Sequence, residues 1–198
     1  MATPAELIKK LREETGAGIL DAKKTLDEMG GDYDKALSIL KAKAIAKADK
    51  KAVERTAKDG VIETYVHNGK VGVLVELNCE TDFVARLPQF KEAAHAVALQ
   101  IAAMNPKYVS PESIPADELE ATKKTFEQAT RAEGKPETII PKIVEGKLAK
   151  YYAETCLLNQ PYIKDDKQTI EELIKQASAQ TGEKIVVRRF VRYALGEE

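Results

Sequence analysis

A chain of 198 residues with 43% hydrophobic content can bury a core and build one or two domains, which excludes general disorder. Its 31 basic and 32 acidic side chains nearly cancel, so no global positive field draws in nucleic acid or an anionic membrane, and a protein partner fits better. With no secretory-leader pattern, no apolar run of about 18 residues and two cysteines outside any Cys-x-x-Cys or Cys/His cluster, the expectation is a soluble, cytoplasmic protein without disulfides, metal or cofactor.

Thr3-Pro4-Ala5-Glu6 supplies a capping hydroxyl, a proline at the first helical position and a glutamate three residues past the cap, so a helix begins there. Leu7, Ile8 and Leu11 recur at helical spacing until Thr15-Gly16-Ala17-Gly18 breaks the pattern. A second helix is expected from about Ile19 to Met29. Gly30-Gly31 ends it, and Asp32 caps a third in which Ala36, Leu37 and Leu40 face the first two. Residues 1–40 thus read as a three-helix module with a thin core, suited to docking. Residues 41–58 are rich in Lys and Ala and poor in large apolar side chains, which gives a solvated helical linker; contact with RNA is the alternative use of its lysines.

Residues 59–198 read as an α+β core. Val61, Glu63 and Tyr65 alternate with Ile62, Thr64 and Val66, then Asn68-Gly69 turns the chain into a strand from Val71 to Leu77, a hairpin signature. Val71, Val73, Val75 and Leu77 share one face and should pack on helices. Helices are expected at Leu87 to Met104, Asp117 to Ala132, Glu137 to Thr155 and Thr169 to Thr181, and a third strand at Lys184 to Leu195, pairing with the hairpin. The predicted architecture is a small three-stranded antiparallel sheet covered by helices, joined through the linker to the N-terminal module.

No catalytic set emerges. His67 stands beside the hairpin turn and His95 on a helix, neither in a nucleophile–base motif. Gly134-Lys135 and Gly146-Lys147 lack the other elements of a Walker loop, and Gly16-Ala17-Gly18 follows a helix where a dinucleotide fingerprint follows a strand. Asp165-Asp166 lacks the spaced oxygen ligands of a metal cage and reads as a solvated turn. Cys79 and Cys156 read as small buried hydrophobes; a thiol enzyme built on Cys79 would have no positioned base. The chain is expected not to be an enzyme.

One segment stands out, the connector Asn78-Cys79-Glu80-Thr81-Asp82-Phe83-Val84-Ala85-Arg86 between the buried strand and the next helix. It reads as an exposed loop. Its Phe83 either folds back onto the core or projects as a wedge beside an acid. Here Glu76 through Arg86 resembles, without a break, the signature of the bacterial elongation factor Ts family, nucleotide exchange factors for elongation factor Tu. A second family signature resembles Leu11 to Ile19 with Asp21, Lys23, Lys24 and Leu26, where Thr25 departs from the usual small apolar residue as a slight change on a helix face. Glu133-Gly134-Lys135-Pro136, Glu145-Gly146-Lys147, Gln160-Pro161-Tyr162 and Gly182-Glu183-Lys184-Ile185 running into Val187-Arg188-Arg189-Phe190 also look like family blocks, with Lys184 where an asparagine is common.

The resemblance implies a short-form member that releases GDP from elongation factor Tu without chemistry of its own. It implies that the N-terminal module, similar to ubiquitin-associated folds, docks on the GTPase through Lys9, Arg12, Ile19, Leu20 and Lys23. It implies further that Thr81, Asp82, Phe83 and Val84 form the exchange loop, with Asp82 and Phe83 entering near the magnesium and phosphate sites, and that the chain pairs as a homodimer. The competing reading is a plain adaptor in which the module captures a protein and the core only scaffolds it.

Overall fold

Helix α1 (Pro4–Thr15) opens as its first residues require. In the computed structural model, which describes residues 3–52 and 55–197, the Thr3 hydroxyl accepts the Glu6 N–H at 3.3 Å and the Glu6 carboxylate accepts the Thr3 N–H at 2.7 Å, a complete capping box. Gly16 ends the helix in the left-handed region (φ 66°). A Cβ on it would stand 3.1 Å from the carbonyl oxygen of Ala179 in the distant helix α8 (Ile170–Thr181), so glycine serves both the turn and the close approach of two helices. α2 (Ile19–Glu28) and α3 (Tyr33–Ala52) complete the N-terminal module, whose core is Leu11, Ala22, Leu26, Ala36 and Leu40.

Two details of this region depart from the sequence reading. α3 runs without interruption past residue 40, because Lys and Ala are strong helix formers and nothing at 41 competes with the helix. The lysine-rich stretch is therefore its continuation as far as Ala52; residues 53–54 of the expected linker lie outside the described residues. Thr25 is not on an open helix face but buried, where its hydroxyl accepts a hydrogen bond from the Lys43 ammonium at 3.4 Å.

The core carries the expected sheet. β1 (Asp59–His67) and β2 (Val71–Cys79) form an antiparallel hairpin closed by Asn68 and Gly69, both at positive φ (49° and 67°), the conformation an Asn-Gly turn favours. β5 (Val186–Ala194) pairs antiparallel with the other side of β2, giving the order β1-β2-β5. A register shift between Glu76 and Leu77 makes Arg188 an extra residue on β5. The bulge brings two consecutive arginines onto one carboxylate: Glu76 accepts from Arg188 at 2.9 Å and Arg189 at 2.7 Å.

One face of the sheet is covered. Val73, Val75 and Leu77 lie buried in one cluster with Phe90, Val97 and Ile101 of α5 (Pro88–Met104), whose buried alanines 93, 94, 96, 98 and 102 let the helix approach the strands closely. Ile170, Ile174 and Ala177 of α8 join the same core. α6 (Ala116–Ala132) and α7 (Ile140–Thr155) pack on one another as a helical pair, with Glu118 accepting from Tyr108 at 2.5 Å and Tyr151 at 3.1 Å.

The smallest elements were not foreseen. Pro161–Tyr162 (β3) and Asp165–Thr169 (β4) make a short hairpin, pinned by the buried Gln100 amide, which donates to the Pro161 carbonyl and accepts from the Ile163 N–H. Asp165-Asp166, read as a solvated turn, instead begins β4, though both residues are exposed. The centre of the supposed exchange loop is a single helical turn, α4 (Asp82–Ala85).

Candidate functional site

α4 follows β2 by only two residues, and Thr81 caps it: with extended backbone (φ −132°, ψ 154°), its hydroxyl accepts the Val84 N–H at 3.4 Å. One turn of helix sorts four neighbouring residues by direction. Val84 and Ala85 are 4% and 6% exposed and belong to the main core, whereas Phe83 is 72% exposed. Val84 is thus an anchor whose side chain does not reach the surface, and the reading in which Phe83 folds back as a plug fails. Asp82 also points outward, its carboxylate 2.6 Å from the Arg86 guanidinium one turn on, with both side chains mostly exposed. Such a surface pair is weak and easily exchanged for another partner.

Beneath the turn, the Cys79 thiol is buried and donates to the Thr81 carbonyl at 3.1 Å. Burial, assisted by the Glu183 and Asp59 carboxylates, pushes it up to about 11, so it stays a thiol at neutral pH and a reactive role is contradicted. Cys156 is likewise buried and its thiol pushed up by burial. His67 interacts with Tyr65 and Asn68, and His95 with Glu63 at 3.2 Å; these contacts are polar surface pairs. Among the described residues there is no group of three or more His, Cys, Asp or Glu able to hold a metal ion, and no helix long and apolar enough to cross a membrane.

The sequence reading missed what holds α4 in place. Glu183, just beyond the left-handed Gly182 that ends α8, accepts the Glu80 N–H at 3.1 Å and the Thr81 N–H at 3.0 Å on one carboxylate oxygen, and the Thr81 hydroxyl at 2.7 Å on the other. Glu80 reciprocates: its carboxylate accepts the Lys184 N–H at 2.7 Å and the Arg55 guanidinium at 3.2 Å. Glu183 and Lys184 stand about a hundred residues from Glu80 and Thr81 in the chain, so no local pattern announces the pairing; the block Gly182-Glu183-Lys184-Ile185 marked the place without its role.

In the N-terminal module, Ile19 and Leu20 at the start of α2 are 56% and 81% exposed; the small core is made by other residues, so both are surface groups. Lys9, Arg12 and Lys23 are also exposed, with Lys9 in a loose pair with Glu13 at 3.9 Å. Spacing of three and four residues sets Lys9 beside Arg12 on α1 and Lys23 beside Ile19 and Leu20 on α2. Between module and core lies a cleft of about 240 Å³, lined by Gly16, Lys43, Arg55, Glu80 and Glu183 among others. The two candidate surfaces, on α1–α2 and on α4, therefore belong to units that meet at the end of α8.

The sequence pattern of the family described as Elongation factor TS matches residues 10–197. The chain is 54% identical to Elongation factor Ts of Coprothermobacter proteolyticus over 198 residues, covering all of both chains. It is 54% identical to Elongation factor Ts of Thermotoga petrophila, over all of this chain and 98% of that one. For Elongation factor Ts of Thermodesulfovibrio yellowstonii the identity is 49%, again over all of this chain and 98% of the relative. With the capped turn carrying Phe83, the small antiparallel sheet and the N-terminal three-helix region all in place, the chain belongs to the elongation factor Ts family of translation elongation factors.

Proposed function

We propose that this protein is the guanine-nucleotide exchange factor for elongation factor Tu in the cytoplasm, acting without covalent chemistry. One observation carries the reading: Phe83 stands 72% exposed on a turn whose adjacent residues, Val84 and Ala85, are locked in the core. An apolar ring carried into water on an anchored backbone turn is ready to enter a partner, because little backbone entropy remains to be lost. Asp82 beside it leaves its weak pair with Arg86 and competes for the groups that hold the magnesium ion and phosphates of GDP. Lys9, Arg12, Ile19, Leu20 and Lys23 dock the GTPase, and Thr81 and Val84 serve the turn from beneath. Exchange then follows from differential binding: the factor prefers the nucleotide-free state, and by linkage nucleotide weakens the factor in return.

Working units at 1–40, 41–58 and 59–198 belong to the same proposal, as does a homodimer. The sheet face opposite α5 is bare: Ile62, Val66, Leu74 and Tyr193 are 59%, 66%, 46% and 74% exposed, with Val191 between them in register. A sheet normally covers such a face, and a second copy offers a self-complementary one.

Mixing the protein with elongation factor Tu loaded with fluorescent GDP tests the main reading. Release should accelerate with factor concentration and saturate. Binding without acceleration would favour the adaptor reading through the three-helix module, and the absence of both would refute exchange and adaptor alike.

A further inference from the structure

α4 is too short to hold itself. A single helical turn has negative intrinsic stability; burial of Val84 and Ala85 fixes its inner side, and at its entrance the buried Cys79 thiol holds only the Thr81 carbonyl. The donors at that entrance are held by Glu183, whose carboxylate binds three of them: two backbone N–H groups and the Thr81 hydroxyl. That hydroxyl passes the restraint on, since it also accepts the Val84 N–H inside the turn.

The same chain segment supports the docking module. On the last turns of α8, the Gln180 amide donates to the Glu14 carbonyl at 3.1 Å and the Ala179 carbonyl faces Gly16. Three residues beyond the helix, Lys184 gives its N–H to Glu80. One short stretch, Ala179 to Lys184, therefore touches both proposed partner surfaces from behind.

We propose that Glu183 is a positioning residue for exchange: it sets the cap of α4, and so the direction in which Asp82 and Phe83 leave the core, in register with the docking module through α8. The inference rests on the exchange reading above. Thr81 is exposed, so water can satisfy its N–H and hydroxyl when the carboxylate is gone. What is lost is direction more than stability, which separates this role from a merely structural one.

The test uses the full chain with fluorescent-GDP elongation factor Tu, comparing Glu183→Ala, Glu183→Gln, Phe83→Ala and the Glu183→Ala/Phe83→Ala double variant. Glu183→Ala should slow saturated release about tenfold, equivalent to about 1.4 kcal/mol, while the half-saturating concentration stays within about twofold. Hydrogen exchange at the Glu80 and Thr81 amides should rise. Glu183→Gln should restore most of the rate, because its amide oxygen still accepts the two N–H groups. In the Phe83→Ala background, Glu183→Ala should slow release less than it does in the wild type, because only Asp82 is then left for the cap to direct. Unchanged release by Glu183→Ala, unchanged amide exchange, or equal slowing in both backgrounds would overturn the proposal. Failure of the exchange reading looks different: Phe83→Ala by itself would then release GDP normally. Should Glu183→Ala not fold, Thr81→Val deletes only the hydroxyl between Glu183 and Val84, and wild-type release by that variant overturns the proposal equally.

Discussion

Phe83→Ala removes the ring proposed to enter the GTPase and leaves the rest of α4 in place. Fully burying a phenylalanine is worth about 1.5–3 kcal/mol. Because this ring is 72% exposed in the free protein, only that share remains for a partner to cover, about 1–2 kcal/mol. At about 1.4 kcal/mol per tenfold, stimulated GDP release should slow by about five- to thirtyfold. The fold should be indifferent, since surface substitutions away from special features stay within about 0.5 kcal/mol and alanine favours the helical turn. Stopped-flow release of fluorescent GDP at saturating factor, with a thermal melt of each protein, measures both quantities. A folded variant with unchanged release refutes the wedge. A loss well beyond about a hundredfold exceeds what one ring can supply and would mean that the turn itself had moved.

Leu20→Asp should raise the half-saturating concentration for exchange at least about tenfold with little change in melting, because Leu20 is 81% exposed; an unchanged value in a titration removes Leu20 from the docking surface. Leu74→Glu puts a charge in the middle of the bare sheet face and should convert the proposed dimer to monomer in sedimentation equilibrium; a mass unaffected by the substitution refutes that face as the interface. Gly60→Ala should cost at least about 3 kcal/mol, or about 6–12 °C in melting temperature, because its Cβ would lie 2.1 Å from the Leu77 carbonyl oxygen at φ 150°; a shift of only a degree or two contradicts the geometry. Hydrogen bonds from Arg189 and then Arg188 hold the Glu76 carboxyl below the ordinary carboxylate range. A carboxyl depressed in the folded state adds stability that is complete above its unfolded value and is lost as pH falls through its folded value. Urea midpoints between about pH 7 and about pH 3 should therefore fall more steeply for the wild type than for Glu76→Gln, and parallel profiles would refute the contribution.

Features carried by neighbouring residues were legible from the chain itself. The Thr3 capping box, the left-handed Gly16, the Asn68-Gly69 turn and the alternation of Val73, Val75 and Leu77 each work through hydrogen bonds or periodicities spanning a few positions, and each is present. The pairing of a third strand with the hairpin was also foreseen, since an apolar strand needs an edge to join, but that the edge is β2 was not. α4 and the β3–β4 hairpin were not, because a single turn and a two-residue strand are shorter than the periods by which helices and strands declare themselves.

The site divides in the same way. Residues 81–84 stood out by composition and resemblance, yet four consecutive residues carry no sign of which face inward. The core decided that by taking Val84 and Ala85, which left Asp82 and Phe83 to the solvent. On the sheet, alternation already marked the face of Val73, Val75 and Leu77 as the one that packs on helices; only the tertiary structure showed how far Ile62, Leu74 and Tyr193 on the other face stand exposed. Glu183 is the clearest case, because its bonds to Glu80 and Thr81 close a loop of about a hundred residues that no local rule encodes. Sequence alone determined the longer elements, the caps written in neighbouring residues and the segment to watch. Tertiary structure decided the direction of each side chain in that segment, because direction is set by what packs behind a residue, and here that is a distant part of the chain.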